Sequence, residues 1–293
     1  MPVLQRVSVS LKNILFATDF SSASERAASY AKALALNFRS SVEIAHVFDP
    51  SVVTSCVEAI LGLPMNERQK ISSECLDKAQ QEFLDAGLDT TASLPEGKPP
   101  YNALLKLAAD HDTDLIVAGT HSRWGVERLV LGSTAEDLIR NAKCPVLTIG
   151  PNARQPQEGP LVFRTIIFAT DFSVASAKAA VYALSFAQDS GAHLYFCHVA
   201  GEGYTPEQSE MTDADFRAAL RRMIPESAYE WCSPETVVKH GDAAESILEL
   251  ADKVHADLIV LGARNASFWL THIEHGLTPD LLAEAACPVM TVC

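Results

Sequence analysis

The stretch Ile14–Ser21, with the sequence ILFATDFS, decides the fold of this chain. It returns 152 residues later as IIFATDFS at Ile166–Ser173. The match continues beyond both stretches, so that Tyr30 recurs as Tyr182 at the same offset. A repeat of this length indicates two copies of one domain rather than one large domain.

Further landmarks follow the repeat in the same order. His46-Val47 recurs as His198-Val199, the segment DLIVAG at Asp114–Gly119 recurs as DLIVLG, and Cys144-Pro145-Val146 recurs as Cys287-Pro288-Val289. Between His46-Val47 and Gly97, which recurs as Gly241, the first copy is longer by 8 residues, which is typical of a connection that varies over a constant framework. We therefore predict domain 1 at residues 1–150, a proline-rich polar linker at 151–160, and domain 2 at 161–293.

The composition is typical of a soluble globular protein. Apolar residues make up 48% of the chain and charged residues 20%, without an apolar run long enough to span a membrane. Residues 1–13 lack the apolar core and cleavage site of a signal peptide. The seven cysteines include no CxxC pair, and we expect Cys144 and Cys287 to be buried free thiols. These features predict a cytoplasmic location.

The net charge of −14 makes nucleic acid an improbable partner. Residues 1–150 carry 14 basic and 18 acidic side chains, whereas residues 151–293 carry 9 and 19. Neither half therefore supplies a basic face, and the second half, with a net charge of −10, is the poorer host for a polyphosphate.

Short apolar runs alternate with helical patterns in each half. In the first half we predict strands at Asn13–Ala17, Ser41–Phe48, Asp114–Ala118 and Val146–Ile149, with one more before Gly97. We predict a first helix with Ser21 or Ser22 as its N-cap, and further helices at about Asn66–Ala86, Tyr101–His111 and Ser133–Asn141. In the second half we predict strands at Thr165–Ala169 and His193–His198. This alternation predicts an α/β fold with a parallel sheet covered on both faces. Ligands of such sheets bind beyond the carboxyl ends of the strands, where Ala17-Thr18-Asp19 and Gly119 lie.

A loop rich in small residues follows the strand that ends at Ala118. Gly119-Thr120-His121-Ser122 opens it, and Gly132-Ser133-Thr134 begins the next helix. Small residues let backbone N–H groups approach phosphate oxygens, and a helix N-terminus adds a favourable dipole. A plain connection between strand and helix explains the same residues equally well.

Each half resembles the universal stress protein family over nearly its whole length. The resemblance rests on the strand with Thr-Asp-Phe-Ser, the His-Val strand end, the Asp-Leu-Ile-Val-x-Gly strand and the closing Cys-Pro-Val. It implies two tandem Rossmann-like domains of the adenine nucleotide alpha hydrolase-like type, each with a five-stranded parallel sheet flanked by helices. ATP-binding members carry G-x2-G-x9-G-[S/T], and the first half keeps this spacing from Gly119 to Gly132-Ser133, with Ser122 in place of the second glycine.

The resemblance implies an ATP site, with or without Mg2+, in the first half. Asp19 would contact the adenine or ribose, with Ala17 and Thr18 beside it, and Val47 would line the base pocket. The residues expected around the ribose and phosphates are Ala118, Gly119, Ser122, Gly132, Ser133 and Thr134, with Arg123 and Arg128 flanking the loop. Two plainer interpretations stay open: Asp19 as a capping residue of the helix, and the two arginines as solvated surface charges.

The second half departs further from the family's pattern. It reads Gly262-Ala263-Arg264-Asn265, then ten residues to Gly276, and Leu277 stands where a serine or threonine is expected. We therefore expect a degenerate site there. Phe268-Trp269-Leu270 in the same loop are expected either to contact the other domain or a partner, or to be core residues.

Three functions fit the sequence. ATP bound in domain 1 would act as a conformational or assembly switch in stress response or signalling. Alternatively, the chain is an interaction module without a nucleotide, or, least favoured, a weak ATP hydrolase, since the sequence offers no set of nucleophile, base and orienting group. His272 and His275 lack partners for a metal site. Because family members pair through their last strands, we expect an intrachain pseudo-dimer, and a homodimer is a further option.

Overall fold

The computed structural model describes residues 8–50, 63–120, 132–156, 161–201, 211–262 and 277–293, with side chains from 281 onward in the last range. The chain divides into two compact units. The N-terminal unit is Ser10–Leu161, and the C-terminal unit is Val162–Cys293. Val9 groups with the C-terminal unit, where its backbone N–H donates to Ser185 Oγ at 3.0 Å. The predicted domain limits at 150 and 161 stay a prediction.

Strands and helices alternate through the N-terminal unit. Its elements are β1 (Asn13–Ala17), α1 (Ser22–Phe38), β2 (Ser41–Ala45), α2 (Met65–Asp85), β3 (Thr90–Ser93), α3 (Pro100–Asp110), β4 (Leu115–Gly119), α4 (Ser133–Asn141) and β5 (Val146–Ile149). The strands run parallel in the order β3-β2-β1-β4-β5. The order therefore reverses between β1 and β4.

The C-terminal unit repeats this plan. Its elements are β6 (Thr165–Ala169), α5 (Val174–Ser190), β7 (His193–Ala200), α6 (Asp213–Met223), α7 (Ala228–Trp231), β8 (Ser233–His240), α8 (Ala243–Val254), β9 (Leu258–Gly262), α9 (Leu277–Glu284) and β10 (Val289–Val292). The parallel order is β8-β7-β6-β9-β10. The predicted fold class, a five-stranded parallel sheet with helices in each half, is confirmed.

Alanines let the first helix of each unit approach its sheet closely. Ala27, Ala31 and Ala35, four residues apart on one face of α1, are fully buried, as are their counterparts on α5. Larger side chains fill the remaining space: Phe16 on β1 stacks on Phe83 of α2 with 5.7 Å between ring centroids. Each unit thus has its own apolar core around its own five strands.

The predicted boundaries differ most at the second strand of each half. β2 ends at Ala45 rather than at Phe48, whereas β7 extends to Ala200 instead of His198. The partner strands explain the difference, because β3 has four residues and β8 has eight. The helix predicted at Ser133–Asn141 is confirmed to the residue.

The residues after β5 lie against α1. The Arg26 guanidinium donates to the carbonyl oxygens of Gly150 and Pro151 at 3.2 and 2.6 Å, and the Tyr30 hydroxyl donates to Arg154 O at 2.8 Å. The first part of the predicted linker is therefore held to the N-terminal unit by hydrogen bonds.

No helix within the described ranges is both long enough and apolar enough to cross a membrane.

Candidate functional site

A cleft of about 490 Å³ lies in the N-terminal unit, where the strand order reverses. Residues at the carboxyl ends of β1, β2 and β4 form its floor, and the N-termini of α3 and α4 form its rim. The lining residues are Ala17, Thr18, Asp19, Ser24, Ala45, His46, Val47, Asp49, Lys98, Pro99, Pro100, Leu104, Ala118, Gly119, Gly132, Ser133, Thr134, Ala135 and Leu138. Its volume lies within the range of about 300–1,000 Å³ that is typical of small-molecule sites.

The cleft gathers most of the residues that the sequence singled out. It is lined by Ala17, Thr18, Asp19, Val47, Ala118, Gly119, Gly132, Ser133 and Thr134. Ser122, Arg123 and Arg128 lie outside the described residues. Segments far apart in sequence thus meet at one edge of the sheet, as expected for a doubly wound fold.

Hydrogen bonds set the shape of the turn after β1. Thr18 N–H donates to Ala45 O at 2.9 Å, and Phe20 N–H donates to Thr18 Oγ1 at 3.0 Å. Asp19 Oδ1 accepts from Ser21 N–H at 3.0 Å and from Ser24 Oγ at 2.6 Å. Ser21, one of the two predicted caps, is the N-cap of α1. Asp19 therefore orders this turn, whatever it binds.

His46 closes one side of the turn. Its Nδ1 lies 2.9 Å from Thr18 O, and the Phe20 ring covers the imidazole with 4.4 Å between centroids. Phe20 has φ 59°, in the left-handed region that few residues other than glycine adopt. Burial lowers the pKa of His46 from its ordinary value of 6.5, against the raising effects of the Thr18 carbonyl and the Asp19 carboxylate. The imidazole is therefore neutral near pH 7.

Gly119 is a glycine because the N-terminus of α1 packs against it. A Cβ at this position would lie 2.7 Å from both C and O of Ala23. Gly262 in the C-terminal unit is equally constrained, since its Cβ would lie 2.3 Å from Ser176 N. Helix–strand packing thus explains this glycine in both halves, so Gly119 by itself does not distinguish a binding site.

The N-terminus of α4 presents backbone donors to the cleft. Its N-cap, Gly132, has φ −63° and offers no side-chain hydrogen bond to the first turn. Ser133 is exposed, Thr134 is half-buried, and both line the cleft. Backbone N–H groups, two hydroxyls and the helix dipole therefore converge where an anion is favoured.

A second helix N-terminus at the cleft was missed by sequence reasoning. The N-cap of α3 is Pro99, which makes no side-chain cap, and Pro100 occupies the first turn. The exposed Lys98 and the buried Asp49 also line the cleft. Two features of the sequence could have indicated these residues: the prolines at the start of a helix, and an aspartate just beyond a strand.

The C-terminal unit keeps the turn and changes its surroundings. Asp171 Oδ1 accepts from Ser173 N–H at 2.9 Å, and His198 Nδ1 lies 2.8 Å from Thr170 O, as in the first copy. Asp171 is exposed, however, whereas Asp19 is half-buried. Phe216 of α6 also packs on His198, with 4.6 Å between ring centroids.

The C-terminal unit has an acidic residue at the position that corresponds to Lys98. Asp242 follows Gly241 as Lys98 follows Gly97. Its carboxylate caps α8 by accepting from Glu245 N–H at 2.9 Å. An acidic cap disfavours an anion at this helix N-terminus.

The described cysteines and histidines form no metal centre. Among the described residues, no three or more His, Cys, Asp or Glu side chains cluster to hold a metal ion, and no two cysteines form a disulfide. Cys287 is buried as expected, whereas Cys144 is only half-buried. Burial raises the pKa of the Cys197 thiol to about 12. His272, His275 and Phe268-Trp269-Leu270 lie outside the described residues.

Known proteins match both the sequence and the fold. Two universal stress proteins of Methanocaldococcus jannaschii are similar to the chain. One is 35% identical over 146 residues, covering 47% of this chain and 81% of that protein. The other is 28% identical over 158 residues, covering 49% and 97%. A universal stress protein structure from Archaeoglobus fulgidus superposes with a TM-score of 0.75 at 20% identity, covering 97% of this chain and 99% of that one.

The family match covers both units. A model of the universal stress protein family matches residues 10–150 and again 163–292, and these two segments contain the cleft and both copies of the turn. The chain therefore belongs to the universal stress protein family, with the family's domain present twice in tandem.

Proposed function

We propose that the cleft of the N-terminal unit binds ATP, and that ATP acts there as a conformational or assembly switch in a stress response. The observation that carries this proposal is the convergence of two helix N-termini without side-chain caps, those of α3 and α4, on one cleft. Both favour negative charge. A triphosphate would take its donors from the α4 N-terminus, where Ser133 and Thr134 add hydroxyls.

The rest of the cleft suits a nucleoside. Val47, Leu104 and Leu138 supply apolar surface, and Asp19 supplies a half-buried carboxylate. Lys98 adds a positive charge at the rim. If Mg2+ enters, the phosphates would be its main ligands, since this ion keeps most of its waters and is commonly held by substrate phosphates.

The C-terminal unit is proposed not to bind ATP. Leu277 replaces a hydroxyl-bearing residue in the sequence, and Asp242 replaces Lys98. We also propose a cytoplasmic location, which agrees with the lack of disulfides among the described cysteines because disulfides are rare there. Pairing of the two halves as a pseudo-dimer, and of two chains as a homodimer, remain predictions.

Equilibrium titration of the purified chain with labelled ATP tests the proposal. We expect saturable binding at one site per chain. Absence of saturable binding below about 1 mM, a free energy of about −4 kcal/mol, would favour the interaction module instead. Turnover above background that Asp19→Asn abolishes, with ATP binding preserved, would instead favour a hydrolase.

The repeat supplies a matched pair of variants. Asp19→Ala and Asp171→Ala each remove the same backbone hydrogen bond, to Ser21 N–H or Ser173 N–H, and Asp19→Ala also removes the bond from Ser24 Oγ. We expect only Asp19→Ala to weaken ATP binding. Gly132→Val, at a φ of −63° that valine tolerates, should abolish binding because its side chain would occupy phosphate space. Equal losses in Asp19→Ala and Asp171→Ala would contradict a site confined to the N-terminal unit.

A further inference from the structure

His46 Nε2 is a buried polar atom without a hydrogen-bond partner. The side chain is 2% exposed, and its Nε2 is one of the buried side-chain atoms in the described part of the chain that bond to no other group. His46 also lines the cleft. Burying such an atom without a partner is costly, and native structures seldom do so without a reason.

The chemistry of this atom follows from the other ring nitrogen. Nδ1 faces Thr18 O at 2.9 Å, and a carbonyl oxygen can only accept, so Nδ1 carries the proton. In the neutral ring Nε2 then holds a lone pair and can only accept. Its missing partner is therefore a hydrogen-bond donor.

We infer that His46 Nε2 is a specificity determinant of the cleft that accepts a hydrogen bond from an N–H or O–H group of the bound ligand. This inference rests on the proposed function, because it assigns a contact to the proposed nucleotide site. A nucleoside offers this donor from two sources, the exocyclic amine of the base and a ribose hydroxyl. The cleft thus selects ligands that carry a donor at this place and discriminates against those that lack it.

The two histidines separate this role from a structural one. His198 makes the same Nδ1 contact, at 2.8 Å from Thr170 O. It also makes the same tilted ring contact, with 4.6 Å between its ring centroid and that of Phe172. It is only half-buried, and Phe216 of α6 packs on it as well. A substitution of either histidine therefore removes the shared Nδ1 and phenylalanine contacts. Only a substitution of His46 would also remove a contact with a bound ligand.

An analogue series on the unmodified protein is the first test. The ligands are ATP, purine riboside triphosphate without the amine, 2′-deoxy-ATP and 3′-deoxy-ATP. We expect one analogue to bind about five- to tenfold more weakly than ATP, as for one lost hydrogen bond, and that analogue identifies the donor. Equal affinity for all four ligands would overturn the inference while leaving ATP binding intact, and no binding of any ligand would overturn both proposals.

The second test compares His46→Asn with the unmodified protein in their affinities for ATP and for the analogue that binds weakly. The asparagine amide can replace Nδ1–H as donor to Thr18 O, but it has no group at the position of Nε2. We expect the variant to lose about five- to tenfold in ATP affinity. For the analogue that lacks the donor, we expect its affinity to equal that of the unmodified protein. His198→Asn is the control and should leave all affinities unchanged. A uniform loss for every ligand in His46→Asn would assign His46 a structural role only.

Discussion

At the scale of single residues, the repeat separates what the fold needs from what the site adds. Gly119 and Gly262 each lie against the N-terminus of the first helix of their unit, and in both turns the backbone N–H of the phenylalanine donates to the threonine Oγ1, of Thr18 or Thr170. These residues are explained by the fold. Lys98, the half-buried Asp19 and the orphan Nε2 of His46 belong to one unit only, and they therefore mark the candidate site.

His46 should make stability depend on pH. Its pKa lies below 6.5 in the folded protein, so between that pKa and 6.5 the unfolded chain binds more protons. The free energy of unfolding should therefore fall as the pH is lowered below about 6.5, and level off below the folded pKa. His46→Asn should lose this part of the dependence, as measured by urea unfolding at about pH 7.5 and about pH 5.5. An unchanged pH dependence in the variant would contradict this assignment.

At the scale of elements, α1 and α5 are copies that end differently. Each has 17 residues, begins after a serine N-cap, and ends at a residue in the left-handed conformation. That residue is Arg39 in α1, with φ 55°, and Gly191 in α5, with φ 63°. A side chain in this conformation is strained, whereas glycine adopts it freely.

Substitutions at the two C-cap residues should therefore have opposite effects. Arg39→Gly should raise the free energy of unfolding by about 0.5–1 kcal/mol, because relief of strain exceeds the added entropy of the unfolded chain. Gly191→Ala should lower it by about 1 kcal/mol, since its new Cβ would meet only Trp231 O at 3.8 Å and the cost is that of the backbone. Urea unfolding midpoints measure both changes. A lower midpoint for Arg39→Gly would show that the arginine side chain makes a stabilising contact.

Sequence patterns located the elements better than their ends. Apolar runs bounded by turn residues placed β1, β5 and β6 correctly, because each strand is buried between helices. The ends of β2 and β7 were wrong because they depend on the lengths of β3 and β8, which belong to other parts of the chain. The cap of α3 was also missed, since Pro99 lacks the polar side chain that usually announces a helix start.

At the scale of the whole molecule, duplication provides two units of the same fold and, as proposed, one nucleotide site. The net charge of −4 in residues 1–150 against −10 in residues 151–293 agrees with this division of roles. A ligand that binds one unit stabilises that unit by mass action. Its effect should therefore be unequal between the two copies.

Hydrogen exchange in the presence of ATP should reveal this inequality. At about 100 times the Kd, ATP stabilises the unit that binds it by about 2.7 kcal/mol, and slows exchange through its global opening roughly 100-fold. We expect this protection in peptides that cover 17–24 and 132–138, and none in those covering 169–176. Equal protection of the peptides at 17–24 and 169–176 would show that both units bind ATP.

The sequence by itself determined the duplication, the alternation of strands and helices, and the identity of the turn after each first strand. The duplication follows from comparing two segments residue by residue, and the other two properties depend on the spacing of residues along a short segment. Only the tertiary structure decided that Lys98 and Pro99 share a cleft with Asp19 and Gly132, and that His46 Nε2 is left without a partner. The parallel sheet brings its carboxyl ends together from distant segments, and burial then sets which polar atoms can be satisfied within the chain.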